Sequence, residues 1–418
     1  MLLSILCLFL VSGMGCSDDD EGNSADTLTD DDTAHGGFLV WSPGNIGGIT
    51  VWDLSKNEAT FHLGEDDATH NMAGKPVISR DAKILAYSEA TPIPIGFIRK
   101  VKVRDMATGV ETNYPEDNPL DSGEFIRVTD EPSISSDGSR IAVVETHYWI
   151  DETSSGPAPS EQSLKSIQVW ERNTNELINV TSGDDADLFP IISADGTRVL
   201  FISNRDTPDH DFYLADVEEN ATLKRVSYKN GDAARSIAHL SDVGHLSASA
   251  DLKWLLFLSR VPNPDDPNAP LLDYLLMNTE TGAVTPLHIL PPDAHVSSRI
   301  QFTLSGAAIS ADGTTFAVQF LWSDLDASPP IVNGPRIVVG STESPEDMRI
   351  ILSDNDVMGN YSSVALSADG RKIAYMLGPD ELWISNAEGS NPAKIIGADD
   401  AIGVGGFDGL SMPIWFSN

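Results

Sequence analysis

Short apolar runs broken by one recurring polar turn run through most of this chain. Residues 190–201 show the unit: Pro190-Ile191-Ile192 is followed by Ser193-Ala194-Asp195-Gly196, and then by the β-rich stretch Val199-Leu200-Phe201. The same grammar returns at 76–87 and 132–143, and again around Ser249-Ala250-Asp251, Ser310-Ala311-Asp312-Gly313 and Ser367-Ala368-Asp369-Gly370. The turn aspartate recurs at 81, 137, 195, 251, 312 and 369, in steps of 56, 58, 56, 61 and 57. An even period of this length is the signature of a repeat architecture. Aspartate can bond its own backbone and glycine supplies positive φ, so each copy predicts a tight hairpin. Asp81, Asp137, Gly138, Asp195, Gly196, Asp251, Asp312, Gly313, Asp369 and Gly370 are therefore expected to be structural turn residues. Ala82 and Leu252 stand where the other copies have glycine, and a different turn is expected there.

Further apolar runs follow each hairpin, at 101–105, 167–171, 212–216, 274–278, 337–340 and 382–385, each leading through a polar turn to a last strand. Four antiparallel strands per repeat make a propeller blade. Before the first full copy, residues 38–41, 49–53 and 59–63 match the second, third and fourth strands of a blade that lacks its first. Pro413-Ile414-Trp415-Phe416-Ser417-Asn418 matches the missing strand. Pairing the two ends would remove two exposed sheet edges. The expectation is an all-β fold: a β-propeller of seven four-stranded antiparallel blades, its ring closed by the C-terminal strand joining the N-terminal blade. Six blades, with the terminal pieces packed outside, is the alternative.

Composition changes the picture in one respect. Across 418 residues, 41% hydrophobic positions and 21% charged ones are ordinary for a folded protein, but 63 acidic against 26 basic residues give a net charge of −37. That charge repels phosphate backbones and anionic headgroups, so a nucleic-acid partner is excluded. It suits cations and basic partners, or simply a solvated acidic surface.

The amino terminus reads as a targeting segment. The apolar run at 2–11 is shorter than the roughly 20 residues a spanning helix needs, and small residues precede Cys16 and the acidic run after it. This resembles a bacterial lipoprotein signal, which implies lipidation of Cys16; ordinary secretory cleavage and a misassigned start are the alternatives. With Cys7 removed and Cys16 lipidated, the mature fold holds no cysteine for a disulfide, thiol chemistry or a metal site. The expected division is a signal at 1–16, an acidic, disordered tether at 17–36 and the propeller at 37–418. The protein is expected to be exported, periplasmic or on the cell surface, touching the membrane only through its lipid, and monomeric.

The Ser-x-Asp-Gly copies, with Phe201-Ile202-Ser203-Asn204-Arg205 after the third, resemble the WD-repeat-like blades of the TolB type over residues 38–418. That resemblance implies a periplasmic or surface propeller, often a binding platform; such blades also occur in sensors, lyases and peptidase gating domains.

Catalytic signatures are sparse. Gly409-Leu410-Ser411-Met412-Pro413 lacks the final glycine of a nucleophile elbow, and neither a phosphate-binding glycine loop nor His-Glu-x-x-His occurs. No catalytic residue is assigned. Propeller sites gather at a channel mouth, where the loops between blades converge. Those loops are read to carry much acid, Asp130 and Glu131 among it, and the candidate ligand-binding residues are His70, Asp187, Arg235, His245 and His295. Converging imidazole and carboxylate would suit a divalent cation, the one cofactor considered. Two readings follow: a non-catalytic binding platform for a protein or envelope polymer, and a metal-dependent polysaccharide lyase or hydrolase. His147-Tyr148-Trp149, at the head of a Ser/Pro/Gly-rich insertion, is either a contact patch or a blade-edge cap, and the loop at 263–268 is a rigid turn or a calcium chelator.

Overall fold

The computed structural model describes residues 37–41, 49–63, 71–72, 76–93, 96–115, 125–149, 163–182, 185–206, 210–226, 246–261, 271–289, 300–324, 331–353, 364–376, 382–396 and 414–417. Every strand among them belongs to one of seven antiparallel sheets, and the protein is a seven-bladed β-propeller. Blade 1 holds Asn71–Met72 and Val77–Ile78, then Ile84–Ile93, Gly96–Asp105 and Glu111–Asn113; blade 2 holds Phe125–Ile134, Arg140–Trp149, Ser163–Glu171 and Glu176–Asn179. Blade 3 is Asp187–Ile192, Arg198–Ser203, Asp211–Asp216 and Lys224–Arg225; blade 4 is Ser247–Ala248, Trp254–Val261, Leu271–Asn278 and Ala283–Pro286. Blade 5 is Ile300–Ile309, Thr315–Asp324, Ile331–Ser341 and Arg349–Ser353; blade 6 is Val364–Leu366, Lys372–Met376, Leu382–Asn386 and Ala393–Ile396. Blade 7 joins the two ends of the chain: Ile414–Ser417 pairs with Gly37–Trp41, followed by Ile49–Asp53 and Glu58–Leu63.

The strand sequences explain why the blades stack. In blade 2, Ile141 and Val143 enter a cluster with Val101, Val103 and Tyr114 of blade 1, whereas Ala142 and Val144 enter one with Leu188, Val199 and Phe201 of blade 3. Successive side chains point to opposite faces of a strand, so a run apolar at every position serves two seams at once. Seven such clusters fill the seven seams. Burial of each large aliphatic side chain contributes about 1.5–3 kcal/mol, so the ring rests mainly on this packing.

Each described hairpin between first and second strands closes on the same hydrogen-bond box. In blade 3, buried Ser193 donates through Oγ to Asp195 Oδ1 at 2.6 Å and accepts from the Arg198 amide at 3.0 Å, while Asp195 Oδ1 also accepts from the Thr197 amide at 3.0 Å. The same three bonds form around Asp81, Asp137, Asp251, Asp312 and Asp369. Backbone bonds then join turn to turn around the ring: Arg80 to Ser136, Ser136 to Ala194, Ala194 to Ala250, Ala250 to Ala311 and Asp312 to Ala368, at 2.8–3.0 Å.

Two turns differ from the sequence expectation. Ala82 and Leu252 do not use another turn: they take φ of 53° and 58° and donate to the Ser79 and Ser249 carbonyls as the glycines do. Leu252 offsets the strain of a left-handed side chain by burial among Leu200, Phe212 and Leu255 at the seam between blades 3 and 4. Where glycine is kept, neighbouring packing adds a second reason. A Cβ on Gly196 (φ +72°) would lie 2.9 Å from Cδ of Arg140 in the preceding blade.

Candidate functional site at the channel mouth

The strand ends opposite the Ser-x-Asp-Gly turns form the mouth side of each blade. Of the five candidate ligand-binding residues, Asp187 is described; His70, Arg235, His245, His295, and Cys16 with the whole segment 1–36, lie outside the described residues. The loop at 263–268 also lies outside them.

Asp187 is not in a loop. It opens the first strand of blade 3, is 2% exposed, and both its oxygens accept from Arg205 Nη2 at 2.8 Å. Arg205 in turn lies 5.2 Å from the Tyr213 ring centroid and 5.7 Å from that of Phe201. Planar guanidinium stacked on aromatic faces and bonded to a buried carboxylate is a rigid brace. Beside it, Tyr213 donates to Asp206 at 2.6 Å, and Arg225 pairs with Asp211. Burial, with the Asp206 carboxylate, pushes the Tyr213 phenol up.

Asp130 and Glu131 are likewise in a strand, at an irregularity in the first strand of blade 2. The pairing slips between Val144–Asp130 and Ala142–Ser133, and Glu131 takes φ of 54°. Asp130 is held from both sides: Oδ2 accepts from Arg99 of blade 1 at 2.6 Å, and Oδ1 from the Glu131 amide at 2.9 Å. Glu131 reaches the other way, and its Oε2 accepts from the Phe189 amide of blade 3 at 2.8 Å. Burial pushes the Glu131 carboxyl up to about 7, opposed by the Phe189 amide and reinforced by Asp130. Phe189 is itself at a bulge with φ of 51°. Sequence reading placed Asp130, Glu131 and Asp187 in loops because Pro132 and Pro190 looked like strand starts; the strands begin earlier and bulge just before each proline.

Other buried carboxylates on this side are also engaged. Glu89 pairs with Lys102 at 2.7 Å, Glu145 lies 3.2 Å from His147 Nε2, and Asp273 lies 3.2 Å from His288 Nδ1. Burial raises Asp273, opposed by the His288 and Tyr274 amides. His147, Tyr148 and Trp149 belong to the second strand of blade 2 rather than to a loop. Among the described residues, no group of three or more His, Cys, Asp or Glu side chains could hold a metal ion.

Fold and site together define a seven-bladed propeller whose mouth-side carboxylates tie strand to strand and blade to blade. Solved structures share this architecture. An oligogalacturonate lyase from Vibrio parahaemolyticus is similar at a TM-score of 0.52 and 14% identity, over 87% of this chain and 86% of that one. A puromycin-hydrolyzing peptidase from Mycobacterium tuberculosis gives 0.51 and 15%, over 88% of this chain and 54% of that one, so the chain spans about half of the peptidase. TolB from Acinetobacter baumannii gives 0.42 and 14%, over 92% and 67%. At such identities these similarities concern the fold alone. No protein-family model matches the chain, and no curated protein matches it.

Proposed function

We propose that the protein is an exported, lipid-tethered propeller acting as a non-catalytic binding platform for a protein or an envelope polymer. One observation carries this reading: the buried or half-buried mouth-side carboxylates are bound to neighbouring groups, Asp187 to Arg205, Glu89 to Lys102, Asp211 to Arg225 and Glu131 to the Phe189 amide. Groups braced in this way hold a surface in shape. The lipoprotein-like run before Cys16 supports export and tethering. Cys16→Ser is then expected to release the protein from the membrane fraction, and retention of that variant would refute the anchor.

The rival reading, a metal-dependent polysaccharide lyase or hydrolase, rests on His70, His245 and His295. Elemental mass spectrometry of the full chain, purified without chelator, separates the two. Substoichiometric transition metal is expected. A stoichiometric metal lost in His70→Ala, His245→Ala or His295→Ala would replace the platform with the enzyme.

A further inference from the structure

In every blade the amide that follows the third strand donates to the carbonyl of the residue that leads into the second. Arg172 bonds to Ser139 in blade 2 and Val217 to Thr197 in blade 3, each at 2.8 Å, and these acceptors come directly after the turn glycines Gly138 and Gly196. In blade 7 the same bond runs from Leu54 to Gly37 at 3.0 Å, and Gly37 pairs with Ser417 of the closing strand. Gly37 therefore occupies the position that follows a Ser-x-Asp-Gly turn. The chain enters the propeller at its turn end, on the side away from the mouth.

Charge is divided along the same axis. Acids at the turn end of blades 1 and 2 stand beside bases: Asp81 pairs with Lys83, Glu111 with Arg104 and Glu171 with Arg140, each at 2.7 Å. The acid doublets Asp66-Asp67, Asp265-Asp266 and Asp399-Asp400 fall instead in the stretches 64–70, 262–270 and 397–413, which contain no lysine or arginine. In sequence, each of these stretches joins two strands at their mouth-side ends. An anionic bilayer surface repels acid that has no accompanying base more strongly than acid beside a cation, over a distance of about a Debye length.

We propose that the turn end is the face this protein turns to the membrane, and that the mouth is presented away from the bilayer to a partner that is not lipid. This orientation rests on the lipid-tethered reading. With Cys16 lipidated, only residues 17–36 separate the lipid from Gly37, and a stretch of that length spans at most about 70 Å. A body tied by one face keeps that face nearer its anchor when averaged over its motions. The division of charge adds to the bias by pushing the mouth outward. The mouth side, whose polar groups vary between blades, is then the side open to a partner.

Energy transfer from a label on the full-length lipoprotein, inserted into preformed vesicles of phosphatidylethanolamine and phosphatidylglycerol with a headgroup-linked acceptor, tests this. Cys7 leaves with the signal and Cys16 is blocked by lipid, so one added thiol is the label site. Val110→Cys and Arg99→Cys place it at opposite ends of blade 1. Val110 is exposed just past the turn end of the third strand, and Arg99 is half exposed near its mouth end, about 20 Å away along the strand. Transfer to the acceptor lipid is expected to be at least about twofold stronger from the Val110 site, because it falls steeply over such a distance. Equal or reversed transfer, in a protein that Cys16→Ser releases from the membrane fraction, would overturn the orientation and leave the anchor standing. Membrane retention of Cys16→Ser would refute the anchor, and the orientation with it.

Discussion

The two ends of one blade are built on opposite electrostatic plans. At the turn end of blade 3, Asp195 is held down to about 2 by the Ser193 hydroxyl and by the amide and hydroxyl of Thr197. Asp81 and Asp137 are also lowered: burial pushes each upward, and hydrogen bonds, led by Lys83 for Asp81 and by the Ser139 amide for Asp137, outweigh it. At the mouth end, Glu131 and Asp273 go the other way, because burial outweighs their donors. A carboxylate follows whichever is stronger, its desolvation or its hydrogen bonds. The turn end repeats the same three bonds in six copies, and five backbone bonds link these turns in succession. Among the described residues no bond at the mouth end is shared by all blades, and the polar groups there differ between the blades that show them. Variation on a rigid frame is where recognition can differ between propellers.

Four substitutions test this contrast. The largest effect is expected from Gly196→Val, which forces a β-branched side chain to φ of +72° and against Arg140; a loss of about 3 kcal/mol should appear in urea unfolding. At the mouth, Asp130→Asn weakens an ion pair whose arginine is half exposed and should cost under about 1 kcal/mol. Equal losses would mean that the turn end is no more constrained than the mouth.

An intermediate effect is expected from Asp195→Asn, read as stability against pH. The wild-type carboxyl sits at about 2 against an ordinary 3.8, so its contribution is complete above about 4 and is lost as pH falls toward 2. The variant should be less stable at neutral pH and should lose less on acidification. An unchanged acid profile would show that the turn boxes do not govern acid sensitivity. The smallest effect is expected from Ala82→Gly. Relief of a left-handed alanine, worth about 1–2 kcal/mol, exceeds the added freedom of the unfolded chain, leaving a gain of roughly 0.5 kcal/mol in thermal or urea unfolding. A loss there would mean that Ala82 is held by its packing against the cluster at the seam between blades 7 and 1.

Much of the fold could be read directly from the chain. The turn aspartates gave the period, the short apolar runs between polar turns gave the strands, and the unmatched terminal segments gave a seventh blade closed by Ile414–Ser417 against Gly37–Trp41. These are local or periodic properties, and a repeat states them six times over. Less legible were the strand lengths. The third strand of blade 1 starts at Gly96, five residues before the run at 101–105, and that of blade 5 at Ile331, six before 337–340, because glycine and proline near hairpin tips resemble strand ends.

A ring of seven blades and the chemistry of its turns are written in the chain itself, since both follow from short spacings and from backbone conformations that particular residues favour. Only the tertiary structure decided that Ala82 and Leu252 would be driven into the glycine conformation, that Asp187 would face Arg205, and that Glu131 would bond across a seam to Phe189. The physical reason is the same in each case. Burial and partners distant along the chain set these energies: Arg205 is 18 positions from Asp187 and meets it when blade 3 pairs its strands, and Phe189 is 58 from Glu131 and meets it when two blades stack.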